Sequence, residues 1–91
     1  MKRYVIERDL PGIGGLSSQQ LKDAAGTSNS ALAQLNGRAQ WVQSYVMDDK
    51  TYCIYLASDE AAVREHARLS GFPANKISEV RNVIDPMTAI S

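Results

Sequence analysis

Few residues in this chain could do chemistry. It has one histidine, His66, and one cysteine, Cys53. Imidazole and thiolate are the side chains that suit a borderline divalent ion, and a carboxylate such as Glu7 is a reasonable third donor. Their spacing carries no motif: no HxH, HxxxH, CxxC or Glu-x-x-His pattern occurs. A lone histidine on the apolar stripe of a helix is ordinarily a satisfied core or interface residue, and a cysteine inside a strand is ordinarily a small buried hydrophobe. The candidate metal donors are therefore His66, Cys53 and Glu7, each weighed against that structural role. Two further features carry charge or glycine. Arg3, Glu7, Glu79 and Arg81 read as an ion-pair layer at an interface, or else as a pocket for a small anion or a metal. The Leu10–Gly15 run, LPGIGG, lacks both the Walker lysine and the dinucleotide spacing, and reads as a connection into a helix.

The elements that must position these residues follow from pattern. Arg3–Glu7 alternates as a first strand, with Tyr4 and Ile6 on one face. Ser17 and Gln20 form a capping box for a helix running to about Asn36, with Gly37 as its stop. Its stripe of Leu21, Ala24, Ala25, Ser28, Ala31, Leu32 and Leu35 is made mostly of small residues, so the helix can lie close to a sheet. Gln40–Met47 and Lys50–Ala57 form a hairpin across Asp48-Asp49, with Tyr45, Gln43 and Trp41 sharing a face with Tyr52, Ile54 and Leu56. A second helix starts at a Ser58 cap and stops at Gly71, with His66 near the centre of its apolar stripe. Ser78–Ile84 is the fourth strand.

The order is βαββαβ, an α+β, ferredoxin-like sandwich with a four-stranded antiparallel sheet and two helices on one face. One domain spans 1–86, and 87–91 is a tail. The bulkier hairpin set, with Tyr4, Ile6, Val80 and Ile84, is expected beneath the helices. Cys53, Tyr55, Val42 and Val46 then fall on the far face among Arg3, Glu7, Ser44, Glu79 and Arg81. A face so mixed suits a wet cavity between two sheets, which means a homodimer closing into an α/β barrel with a small ligand in the inter-sheet cavity.

Bulk properties narrow the partners. Ninety-one residues make one small domain, and ten basic against ten acidic side chains leave a formal net charge of zero. A balanced surface argues against a nucleic acid or an anionic membrane as partner. No apolar run approaches membrane-spanning length, the start does not resemble a signal peptide, and a single free cysteine fits a reducing cytoplasm.

The stretch WVQSYVMDDKTYCIYLASDEAAVREHA, followed by SGFPANKISEVRNVIDP, resembles a group of small bacterial proteins catalogued as a domain of unknown function, some members of which are called nickel-binding proteins. ERDLPG near the start and the final Asp-Pro extend the resemblance over nearly the whole chain. It implies a ferredoxin-like subunit, a dimeric α/β barrel and, as cofactor, a divalent metal such as nickel. It supplies no motif that assigns a ligand here. The leading expectation is thus a non-enzymatic, dimeric small-ligand or divalent-metal binding protein. The alternatives are an enzyme of the dimeric α/β-barrel monooxygenase type, recruiting Trp41, Tyr55 and His66 in the inter-sheet cavity, or a regulatory interaction module.

Overall fold

A computed structural model describes residues 1–90. Its elements in chain order are β1 (Lys2–Asp9), α1 (Ser18–Ala33), β2 (Ala39–Val46), β3 (Lys50–Ala57), α2 (Glu60–Ser70) and β4 (Lys76–Glu79). Short 3-10 turns cover Ile13–Gly15 and Pro86–Ala89. The four strands form one antiparallel sheet in the order β2-β3-β1-β4, compatible with the ferredoxin-like split βαβ arrangement. Both helices pack on the same face, leaving the other without a covering layer.

The helix ends are set by local chemistry. Ser17 and Gln20 make the reciprocal capping box of α1. At α2 the cap is Asp59 rather than Ser58: its carboxylate accepts from the Ala62 amide at 2.9 Å. Gly71 closes α2 in the left-handed conformation, at φ 79°, which a glycine adopts without strain. α1 ends three residues before Asn36, and a turn carries the chain into β2. β4 is shorter than the sequence suggests. Its last sheet bond is Val80 N–H to the Arg3 carbonyl at 2.8 Å, and Ile84 is 78% exposed.

The glycine-rich run is stitched to the β2–β3 turn. The Gly14 amide donates to the Asp48 carbonyl and the Gly12 amide to the Asp49 carboxylate, each at 2.9 Å. A Cβ on Gly14 would lie 2.7 Å from the Met47 carbonyl oxygen, so only glycine fits there. These two amides are spent on the hairpin and cradle no phosphate.

The hairpin register agrees with expectation near its turn, where Val46 faces Thr51, Tyr45 faces Tyr52 and Ser44 faces Cys53. The face assignment of β3 is the reverse of the expected one, whereas Tyr4, Ile6 and Trp41 lie beneath the helices as expected. Along β3, Thr51, Cys53, Tyr55 and Ala57 are buried beneath the helices, while Tyr52, Ile54 and Leu56 lie half-exposed on the open face. A β-bulge between Trp41 and Gln43 extrudes Val42 and moves Trp41 across from Tyr55, onto the helix side. The core comprises Tyr4, Ile6, Leu35, Ala39, Cys53, Tyr55, Ala57, Ala62 and Val63, with Ala31 and His66 also buried. Small side chains on β3 and α1 leave room for Tyr55 and His66, so bulk alone misidentifies the inner face.

Candidate functional site

His66 is presented by the apolar stripe of α2 and is 1% exposed. Its ring lies against that of Tyr55 on β3, with centroids 4.9 Å apart at 53°. Ser28, on α1, joins the two: its Oγ is 3.1 Å from the Tyr55 hydroxyl and 3.1 Å from His66 Nε2. The Ser28 carbonyl also lies 3.3 Å from Nε2. A carbonyl oxygen can only accept, so Nε2 carries the proton and Nδ1 is the bare nitrogen. Nδ1 is buried without a partner among the described residues. Burial, and then the nearby Arg8 charge, hold the His66 pKa below its ordinary value. Burial raises that of Tyr55, opposed by the Ser28 hydrogen bond and by Arg8.

This trio clamps both helices to the sheet. It is ill-suited to nucleophilic catalysis, because Nε2–H faces the serine as a donor and cannot take its proton, and no acid orients Nδ1.

Beside the clamp, between α1 and the sheet, is a cavity of about 230 Å³. Trp41, Cys53, Thr51, Ala24, Ala25 and Phe72 are among the residues that wall it, and its lining is overwhelmingly apolar. Leu21, 37% exposed, lies at its solvent side. Arg8 also forms part of the wall. It is 2% exposed, with Nη1 donating to the Pro73 carbonyl at 2.9 Å and, more weakly, to that of Phe72 at 3.4 Å. Its guanidinium carbon sits 5.9 Å from the Tyr55 ring centroid.

The three candidate donors are not brought together. Cys53 and His66 both lie in the layer between the helices and the sheet, contrary to the expectation that Cys53 looks into an inter-sheet space. Glu7 is on the opposite face, where it pairs with Lys50 at 3.7 Å. The expected charge cluster is likewise divided: Glu79, across from Tyr4, pairs with Lys2 and Arg81 on the other side of the sheet from Glu7. Among the described residues no group of three histidine, cysteine, aspartate or glutamate side chains could hold a metal ion. The described donors of a single chain therefore do not by themselves fit a nickel site. Of Trp41, Tyr55 and His66, the residues the enzyme reading would recruit, Trp41 and His66 lie between helices and sheet as expected, and Tyr55 joins them there instead of facing an inter-sheet space. No helix is long and apolar enough to cross a membrane among the described residues.

A match to the family described as "Nickel responsive protein SCO4226-like" spans residues 4–80. The chain belongs to that family. No curated protein gives a significant match. Among solved structures it is similar to SCO4226 from Streptomyces coelicolor A3(2), with a TM-score of 0.74 at 19% identity over 90% of this chain and 99% of that one. That likeness supports the fold. The family description supplies nickel responsiveness and names no donor residue.

Arg8 is absent from the sequence-based candidates because the first strand was expected to end at Glu7. One more residue of alternation, Tyr4, Ile6, Arg8, would have placed it on the buried face.

Proposed function

We propose that this chain is a non-enzymatic, homodimeric binding protein that holds a small, mostly apolar molecule between α1 and the sheet. The observation that carries this reading is the cavity of about 230 Å³ walled by Trp41, Cys53, Thr51 and the small residues of α1. Apolar cavities of about 150 Å³ stay dry and admit a benzene ring, so this one accommodates a ring with a short substituent. It is below the roughly 300–1,000 Å³ of sites for drug-sized ligands, which points to a small occupant.

Dimerisation is supported by the face the helices leave open. Val5, Tyr52, Ile54 and Leu56 are only half-buried there, Tyr45 is 51% exposed, and Val83 and Ile84 extend beyond β4 at 70% and 78% exposure. Apolar surface of this extent on a small domain is best explained by a second copy seated on it. The free thiol of Cys53 suits a reducing cytoplasm.

A second reading rests on the family description: the dimer binds nickel with donors shared between subunits, drawing on His66, Cys53 or Glu7. Titration of tag-free protein with nickel by calorimetry separates it from the first, since heat of binding at a simple stoichiometry per dimer would favour it. The pocket reading is tested by following amide resonances during titration with phenylacetate and phenylacetamide. Saturable shifts at Ala25, Ser28, Thr51 and Cys53 with either compound are expected. No shift with both would overturn it.

A further inference from the structure

We infer that the occupant of this pocket is a monoanion, a small carboxylic acid with an apolar body, whose carboxylate is received by Arg8 and Thr51. The inference rests on the pocket reading above and adds the ligand's charge. Arg8 is a fixed positive charge, 2% exposed, and no carboxylate of the described residues lies within ion-pair distance of it. A buried ion without a counter-ion is costly, and two backbone carbonyls with a ring face only partly offset it. Nη1 is occupied by those carbonyls, whereas Nη2 is buried without a hydrogen-bond partner of good geometry among the described residues, the guanidinium otherwise interacting only weakly with Tyr55. A buried guanidinium without a counter-ion in the wall of an apolar cavity lacks a negative charge that a ligand can bring.

The second donor is set by strand register. Thr51 on β3 lies directly across from Arg8 on β1, so the two side chains are neighbours on the inner face. Its hydroxyl is buried, and its partner is the Cys53 sulfur at 3.4 Å, a weak one that leaves its stronger hydrogen-bonding capacity free. A carboxylate that reaches both would be held by guanidinium and hydroxyl together. The charge count then selects the ligand class. One negative charge neutralises Arg8, whereas a dianionic phosphate would leave an excess negative charge in an apolar enclosure. The remainder of the cavity, against Trp41 and the alanines of α1, takes the hydrocarbon part.

The test compares phenylacetate with phenylacetamide, equal in shape and differing in charge, on the tag-free full chain by calorimetry and amide NMR. Phenylacetate is expected to bind at least about tenfold tighter, as charge-assisted hydrogen bonds to a buried guanidinium imply. Thr51→Val should weaken phenylacetate several-fold and leave phenylacetamide nearly unchanged. Arg8→Met should abolish the preference between the two. Should Arg8→Met not fold, the Arg8 side-chain nitrogen resonances of the unaltered protein give the same answer by moving with phenylacetate and not with the amide. Equal affinity for both compounds would overturn the inference while leaving the pocket reading intact. Binding of neither would overturn both.

Discussion

The rings of Tyr55 and His66 meet at 4.9 Å and share one hydrogen-bonding partner, the hydroxyl of Ser28. One residue from each helix and one from the central strand β3 thus meet at a single buried oxygen. His66→Ala should cost on the order of 1–3 kcal/mol through lost packing and an orphaned serine. Tyr55→Phe, which keeps the ring, should cost about 1 kcal/mol. Urea denaturation followed by circular dichroism measures both. Little change on removing His66 would show that the clamp is not a principal tie between helices and sheet.

The same contact gives the fold a pH dependence of known sign. In the unfolded chain His66 takes up a proton near its ordinary value of 6.5, whereas in the folded chain burial and Arg8 depress its pKa. The unfolded state therefore binds more protons in the window just below pH 6.5, and stability falls as the pH drops through it. Unfolding free energies measured between pH 7.5 and 5 should show this slope in the parent and a smaller one in His66→Gln. Equal slopes would mean that His66 is protonated as readily in the fold as out of it.

Two glycines make opposite predictions. At Gly14 a Cβ would meet two backbone atoms of the hairpin turn, the Met47 oxygen at 2.7 Å and the Asp48 Cα at 2.8 Å. Gly14→Ala must push the loop off the turn and should destabilise by about 1–3 kcal/mol. Gly26, on the outer side of α1, has nothing within 4 Å, and Gly26→Ala should stabilise by up to about 1 kcal/mol. Chemical denaturation of the two variants alongside the parent checks both signs at once.

The open sheet face predicts assembly. Light scattering at micromolar concentration should give about twice the chain mass. Ile54→Arg places a charge in the middle of that face, on a side chain only half-buried in the single chain, and should yield a folded monomer. A parent protein that is already monomeric would remove the partner from the account.

The capping box at Ser17, the stop at Gly71, the hairpin across Asp48-Asp49 and the inward position of His66 all follow from local patterns whose cause lies within a few residues. Cys53 and Tyr55 do not, because strand parity says which residues share a face but not which face is inside. Bulk was a poor guide: the helices that cover the sheet are lined with alanine and serine, and the tyrosine that reaches up to them has a polar tip needing a partner. Trp41 is on the helix side as expected but does not bring Tyr52, Ile54 and Leu56 with it, since the bulge at Val42 reverses its parity and nothing local announces it. The cavity was not legible at all. It arises from the stand-off between α1 and the sheet, a tertiary quantity, and from the β1–β3 register that sets Arg8 beside Thr51 from strands far apart in sequence.

The most direct measure of the pocket is the reactivity of Cys53, the single thiol, which is 5% exposed and part of the cavity wall. Alkylation by iodoacetamide, followed by mass spectrometry, should be slow in the native protein and fast in urea. Saturating phenylacetate should slow it further, with a concentration dependence matching the binding isotherm. A native rate equal to that of the unfolded chain, or one that both phenylacetate and phenylacetamide leave unchanged, would contradict a ligand pocket between α1 and the sheet.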